Sequence, residues 1–143
     1  MSDFHLSLDL RRLVYNRAQG RCEYCLYPEL PGFFGHEIDH IISRKHGGAS
    51  IAENLALSCC ECNRHKGSDL ASIDVETGEI VALFHPRKNS WFDHFRINHT
   101  MIVPLTAHGR VTVSLLQLNA PVRMKEREPL ITGGLYQLLT AVQ

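Results

Sequence analysis

The sequence has no long apolar run. Its longest stretches, Ile80 to Phe84 and Val111 to Leu118, are short or broken by polar side chains, well under the ~18 apolar residues of a membrane span, so no membrane association is expected. Neither charge is in excess. Over 143 residues, 15 Lys+Arg balance 15 Asp+Glu, which argues against a coat protein held to nucleic acid by bulk electrostatics. Repeats and low-complexity tracts are missing too, and with 44% hydrophobic and 21% charged residues the collagen-like and disordered classes fall away. Residues Met1 to Arg12 lack the basic flank, apolar stretch and small-residue cleavage site of a secretory leader, so a cytoplasmic protein is expected. A chain of this length buries roughly two thirds of its unfolded surface, and one domain over 1–143 needs no disulfide staples.

The balanced total hides local asymmetry. Arg87 to Arg127 holds seven basic residues and two acidic ones, whereas Asp69 to Glu79 holds four acids and no base. A basic face is compatible with a neutral protein.

Cysteine supplies the first chemical signal. Four of the five cysteines fall in two pairs of equal spacing, Cys22-Glu-Tyr-Cys25 and Cys59-Cys-Glu-Cys62. Two such pairs a few tens of residues apart predict a four-thiolate zinc site, because each CxxC turn aims two sulfurs at one tetrahedral ion with Zn–S distances of ~2.3 Å. An odd cysteine number and a reducing compartment disfavour disulfides. Cys60 is the spare, a packed thiol or a substitute for Cys59 in a CxC pair.

Coarse organisation follows from periodicity and punctuation. A helix is expected from Leu8 to about Gln19, capped by Ser7, with Leu10, Leu13, Val14 and Ala18 apolar and Gly20 as its stop. A loop through Pro28, Pro31, Gly32 and Gly35 leads to a strand over Glu37 to Ile42, with His36, Ile38 and His40 on one side and Glu37, Asp39 and Ile41 on the other. A strand ending beside Ser43, Lys45 and Gly47-Gly48 lets Asp39 and His40 line one cleft. Ser50 to Leu57 reads as a turn and strand, and Ser58 to Lys66 as a short helix with a Ser58/Glu61 capping box and Gly67 as stop. Further on, a turn at Thr77-Gly78 precedes a strand, a helix spans about Ala107 to Leu118, and another begins at Pro121 and ends before Pro129. Trp91, Phe92 and Phe95 suit a core cluster or base stacking; Arg123, Lys125 and Arg127 suit a solvated face or phosphate contact.

In order, Cys22-x-x-Cys25, Glu37-Ile-Asp39-His40-Ile41, Gly47-Gly48, Asn54-Leu55-x-Leu57, Cys59-x-x-Cys62-Asn63 and Lys66 resemble the pattern of the HNH endonucleases, the zinc-containing branch of the His-Me finger superfamily. The resemblance covers about a third of the chain and rests on several independently placed elements. It implies an α+β fold with a ββα-metal core over about 8–68, a four-cysteine zinc clip, an N-terminal helix and a mixed C-terminal extension over about 69–143. It also implies hydrolysis of DNA phosphodiesters, RNA not being excluded, leaving a 5′-phosphate and a 3′-hydroxyl. On this resemblance His40 is the general base, and Asp39 and Asn63 hold a catalytic Mg2+ or Mn2+. Asn54 braces the loop that carries the base, and Lys45, Arg64 and Lys66 contact phosphates. The residue types suit the chemistry: imidazole titrates near neutrality, and hard oxygen donors match a hard cation. His65 competes with Asn63 as ligand, and Glu37 belongs near the ion or on a solvated strand. Many relatives carry Pro after the His-Ile-Ile stretch; this chain has Ser43, a change in loop geometry that removes no ligand.

The rival from another class is a four-cysteine zinc module that binds nucleic acid or protein without catalysis. Such a module has no use for Asp39, His40 and Asn63 around one point. A redox protein using Cys22 and Cys25 would need no zinc.

Overall fold

Ser7 leaves the extended chain and starts α1 (Leu8–Ala18), its Oγ accepting the Leu10 N–H at 3.1 Å. Gln19, in the left-handed region at φ 55°, ends the helix one residue before the expected stop at Gly20, its N–H closing on the Asn16 carbonyl. Leu10, Val14 and Ala18 form its inner line, packed with Leu6, Ile38, Leu55 and Leu57. Leu13, expected on that face, is 45% exposed, because at 100° per residue it lies about 100° from the centre of the line.

β1 (Glu37–His40) and β2 (Leu55–Ser58) pair antiparallel, with Glu37 opposite Ser58 and His40 opposite Leu55. β1 is shorter than the expected strand because the next polar groups go elsewhere: Ile42 N–H donates to the Asn54 side chain, not to β2. Ile38 turns into the α1 core, leaving Glu37 and Asp39 to face α2 (Cys60–Lys66), where they meet Asn63 and Lys66. The expected cap of this helix is corrected. Ser58 is still a strand residue, so the helix cannot begin on it; Cys59 is the cap, its Sγ accepting the Cys62 N–H at 3.4 Å.

The structure is a computed structural model describing residues 6–32 and 35–136. Two compact units arise, one of Met1–Ser68 with His85–Lys88, the other of Asp69–Phe84 with Asn89–Gln143. The class is α+β, built from helices and two-stranded antiparallel sheets. Among the described residues no helix is long and apolar enough to cross a membrane. In the first unit the distant segment 85–88 is tied in by Arg87, which pairs with the Glu23 carboxylate. Glu23 also accepts the Leu57 N–H at 2.9 Å, fixing the first cysteine turn to β2.

The second unit begins with a hairpin of β3 (Ala71–Ile73) and β4 (Ile80–Ala82), closed by a turn around Asp74. After α3 (Trp91–His94), β5 (Phe95–Asn98) and β6 (Met101–Pro104) form a further hairpin. Then α4 (Ala107–Leu115) packs on β3, β4 and β6. Trp91 and Phe95 are buried with ring centroids 4.8 Å apart, so they serve the core and are not free to stack on bases. α5 (Pro121–Thr132) passes through Pro129 instead of stopping before it. A proline inside a helix costs about 3 kcal/mol, offset here by anchors on the same helix. Arg123 donates to the Leu116 carbonyl at 2.8 Å, and Arg127 to those of Leu118 and Thr100 at 2.8 and 2.9 Å. Both arginines are buried and close off carbonyls near the end of α4, which removes them from phosphate contact.

Candidate functional site

The two CxxC turns converge. The sulfurs of Cys22, Cys25, Cys59 and Cys62 all lie within 4.8 Å of one another and all four residues are buried. Cys25 Sγ is 3.7 Å from Cys59 Sγ, close to the ~3.8 Å edge of a tetrahedron with 2.3 Å metal–sulfur bonds. Backbone N–H groups point at the sulfurs, from Tyr24 and Cys25 to Cys22 and from Cys62 to Cys59, each at 3.4 Å, an arrangement that favours thiolates. Without a cation, hydrogen bonds with Cys22 and Cys25 push the Cys59 thiol up, and burial does the same to Cys62. Four crowded, buried sulfurs therefore suit a soft divalent ion, and the donor set is that of structural zinc. Cys60 is exposed and outside the cluster, so Cys59 is the sulfur placed with the other three.

The adjacent pair Asp39-His40 sits at the end of β1. Asp39 is 6% exposed, and its Oδ2 accepts from the Tyr24 hydroxyl at 2.8 Å and lies 3.1 Å from the Lys66 ammonium. Burial raises the Asp39 pKa, outweighing the opposite pull of Lys66, Tyr24 and His40. His40 is half-buried, with Nε2 2.8 Å from Ser50 Oγ. Burial lowers its pKa against the opposing effect of Asp39, while Arg44 and Lys66 lower it further, so the imidazole is neutral near pH 7.

Asn54, 8% exposed, spans the loop that follows. Its Oδ1 accepts from Ile42 N–H, and its Nδ2 donates to the carbonyls of Ile42 and Ala49, each at 2.9 Å. Gly48 lies so close to the Ile42 carbonyl and Asn54 amide that a Cβ there has no room, and its N–H returns to the Ser43 carbonyl at 2.9 Å. The loop emerging from His40 is thus closed on itself.

On α2, Asn63 Nδ2 donates to Glu37 Oε1 at 2.6 Å. Glu37, Asp39 and Asn63 consequently share the β1–α2 face, while His65 is turned toward Glu61 at 3.6 Å. Lys66, expected at a solvent-facing helix end, points inward and is 2% exposed, its ammonium also 3.3 Å from the His40 carbonyl. Arg64 is exposed and pairs with Glu61 at 2.7 Å. Lys45 is exposed on a short 3-10 turn, Arg44–His46, a few residues past His40. His36 is taken up elsewhere, donating from Nε2 to the Tyr27 carbonyl at 2.8 Å and from its N–H to Glu29 at 2.6 Å.

Sequence reasoning passed over Tyr24, Ser50 and the Glu23–Arg87 pair. Tyr24 and Glu23 sit inside the first CxxC, where the cysteines take the attention. Ser50 is one of many loop serines, and nothing local connects Arg87 with a turn more than sixty positions earlier. No curated protein matches the chain. Residues 22–69, which hold both cysteine pairs, the Asp39-His40 strand and α2, match the family model of the HNH endonuclease.

Proposed function

We propose that this chain is a metal-dependent nuclease that hydrolyses DNA phosphodiesters, with zinc as a structural clip and a second divalent ion at the site of chemistry. One observation carries the reading. A neutral, half-buried imidazole at the end of β1 adjoins a strand–helix face bearing Glu37, Asp39 and Asn63, next to a four-thiolate site. The carboxylate and amide oxygens are hard donors that fit Mg2+ or Mn2+; Asp39 and Asn63 would hold the ion, with Glu37 beside them. Such an ion, when bound, neutralises charge developing on the scissile phosphate and the leaving oxygen.

The protein's own groups do the rest. His40, kept uncharged by burial, accepts a proton from the attacking water, and Ser50 at Nε2 fixes the ring. Asn54 and Gly48 hold the loop after His40 in one conformation, so the base needs no reordering when substrate arrives. Lys45, and Arg44 beside it, both exposed on the turn after β1, are the cations this reading assigns to phosphates along the strand being cut. Lys66 balances the Asp39 carboxylate from inside. On the family likeness, the products carry a 5′-phosphate and a 3′-hydroxyl.

The test is cleavage of supercoiled plasmid by purified protein with Mg2+, Mn2+ or chelator, beside His40→Ala, with zinc measured on both preparations. The expected result is nicking that needs the divalent ion and falls by at least 100-fold in the variant, while both proteins hold about one zinc. Zinc retained with no cleavage under any metal would favour the non-catalytic zinc module. A His40→Ala protein that cuts at the wild-type rate would remove the assigned base.

A further inference from the structure

The first cysteine turn does more than supply sulfurs. Between Cys22 and Cys25 lies Tyr24, 1% exposed, its backbone N–H directed at Cys22 Sγ at 3.4 Å. Its hydroxyl crosses to Asp39 Oδ2 at 2.8 Å. The turn is held on both sides, by Cys22 N–H to the Tyr27 carbonyl at 2.9 Å and by Glu23, which accepts from Leu57 N–H and pairs with Arg87. Leu26, in the left-handed region at φ 67°, completes it. A phenol mounted so rigidly has little freedom to leave Asp39.

Asp39 has a second buried partner that pulls differently. The Lys66 ammonium, carried on α2, sits 3.1 Å from Oδ2 and 3.4 Å from Oδ1. Left to itself, a buried ammonium draws a carboxylate into a closed ion pair and withdraws both oxygens from any other cation. The tyrosine hydroxyl shares Oδ2 with the ammonium and anchors that oxygen by a neutral hydrogen bond, which leaves Oδ1, at the longer distance from Lys66, as the oxygen offered to another cation.

We infer that Tyr24 is a positioning residue, through which the cysteine site sets the orientation of Asp39 and thereby the affinity of the second divalent ion. The inference rests on the nuclease reading. It names a link between two metal sites: the turn that closes on zinc also holds the carboxylate offered to magnesium or manganese. Partners that orient metal ligands typically change affinity by 10–100-fold when removed.

Tyr24→Phe is the test, since it keeps the ring and its packing and deletes only the hydroxyl. The full-length variant and wild type, each verified for zinc content and thermal midpoint, are titrated with Mn2+ alone, free ion being followed by electron paramagnetic resonance. Plasmid nicking is then measured across Mn2+ concentration. The expected result is one zinc in both, Mn2+ bound about tenfold more weakly by the variant, and a rate at saturating Mn2+ within about threefold of wild type. Equal Mn2+ affinity in the two proteins would overturn the inference and leave the nuclease reading standing. Loss of rate at saturating Mn2+ with unchanged affinity would overturn it as well, making the hydroxyl part of the chemical step. Failure of wild type itself to bind Mn2+ or to nick would overturn the nuclease reading and the inference with it, and is distinguished by appearing before any substitution.

Discussion

Lys66 of α2 and Asp39 of β1 are oppositely charged side chains that meet out of reach of solvent. Both are buried, at 2% and 6% exposure, and 3.1 Å apart, so neither charge has water to fall back on. Removing one partner from such a pair strands the other and destabilises by roughly 3–5 kcal/mol, whereas removing both is far milder. Lys66→Met is therefore expected to cost roughly 3–5 kcal/mol in urea unfolding of the zinc-loaded protein, and Asp39→Asn with Lys66→Met to recover much of the loss. A single variant as stable as wild type would show that the ammonium is hydrated and the pair open. The same contact explains why a lysine in a helix-end motif was misplaced by sequence. From pattern alone it faces solvent, and only β1 lying across α2 turns it inward.

Among elements, the loop between β1 and β2 shows how one side chain substitutes for a sheet. Beyond His40 the strands part, and Asn54 takes over their pairing with three hydrogen bonds to Ile42 and Ala49. At about 1 kcal/mol net for each, Asn54→Ala is expected to lower stability by about 3 kcal/mol. In hydrogen exchange the Ile42 amide, which donates to Asn54, should lose protection before the amides of β2 do. Unchanged exchange at Ile42 would mean the loop is braced by something else. Elements of this kind were legible where the signal was local: Ser7 at the start of α1, the alternation of Glu37, Ile38 and Asp39, and the glycine turn at Gly78. The hairpin of β5 and β6 was not, since its four-residue strands lack clean alternation and its turn relies on His99 at φ 59° in place of a glycine. Arg123, Arg127 and Pro129 misled for one reason. The two guanidiniums are taken by the carbonyls of Leu116, Leu118 and Thr100, which no pattern within α5 reveals, and the helix they anchor runs on through Pro129. The cysteine cluster was the easiest part of the site to read, because ligand spacing is written into the chain, while Tyr24 and Ser50 became visible only with the contacts they make.

At the scale of the whole molecule, acid acts on the two units through different groups. The first depends on thiolates grouped for a metal, and protonation competes with the ion for them. The second depends on Asp74, which receives Arg110 in a two-point contact at 2.9 and 2.8 Å and is held by Arg110 at a pKa of about 2, against 3.8 ordinarily. A carboxyl depressed by folding stabilises the fold at pH values above its unfolded pKa, near 4, and loses that contribution as pH falls toward the folded value, near 2. The one tryptophan of the chain, Trp91, is buried in this unit and reports its unfolding by fluorescence. The urea midpoint of the Trp91 signal is thus expected to hold steady from pH 7 to about 5 and to fall between about pH 4 and 2. Arg110→Met should lower the midpoint at neutral pH and flatten that fall, because Asp74 then titrates at nearly the same pH folded and unfolded. If the variant keeps the full acid slope, the slope belongs to another carboxylate and the Asp74–Arg110 pair contributes little. Should the variant match wild type at every pH, the contact carries no weight in stability, and the turn it closes is held by its own hydrogen bonds, those of Thr77 Oγ1 and the Glu76 N–H to the Asp74 carboxylate and of the backbone around Gly78.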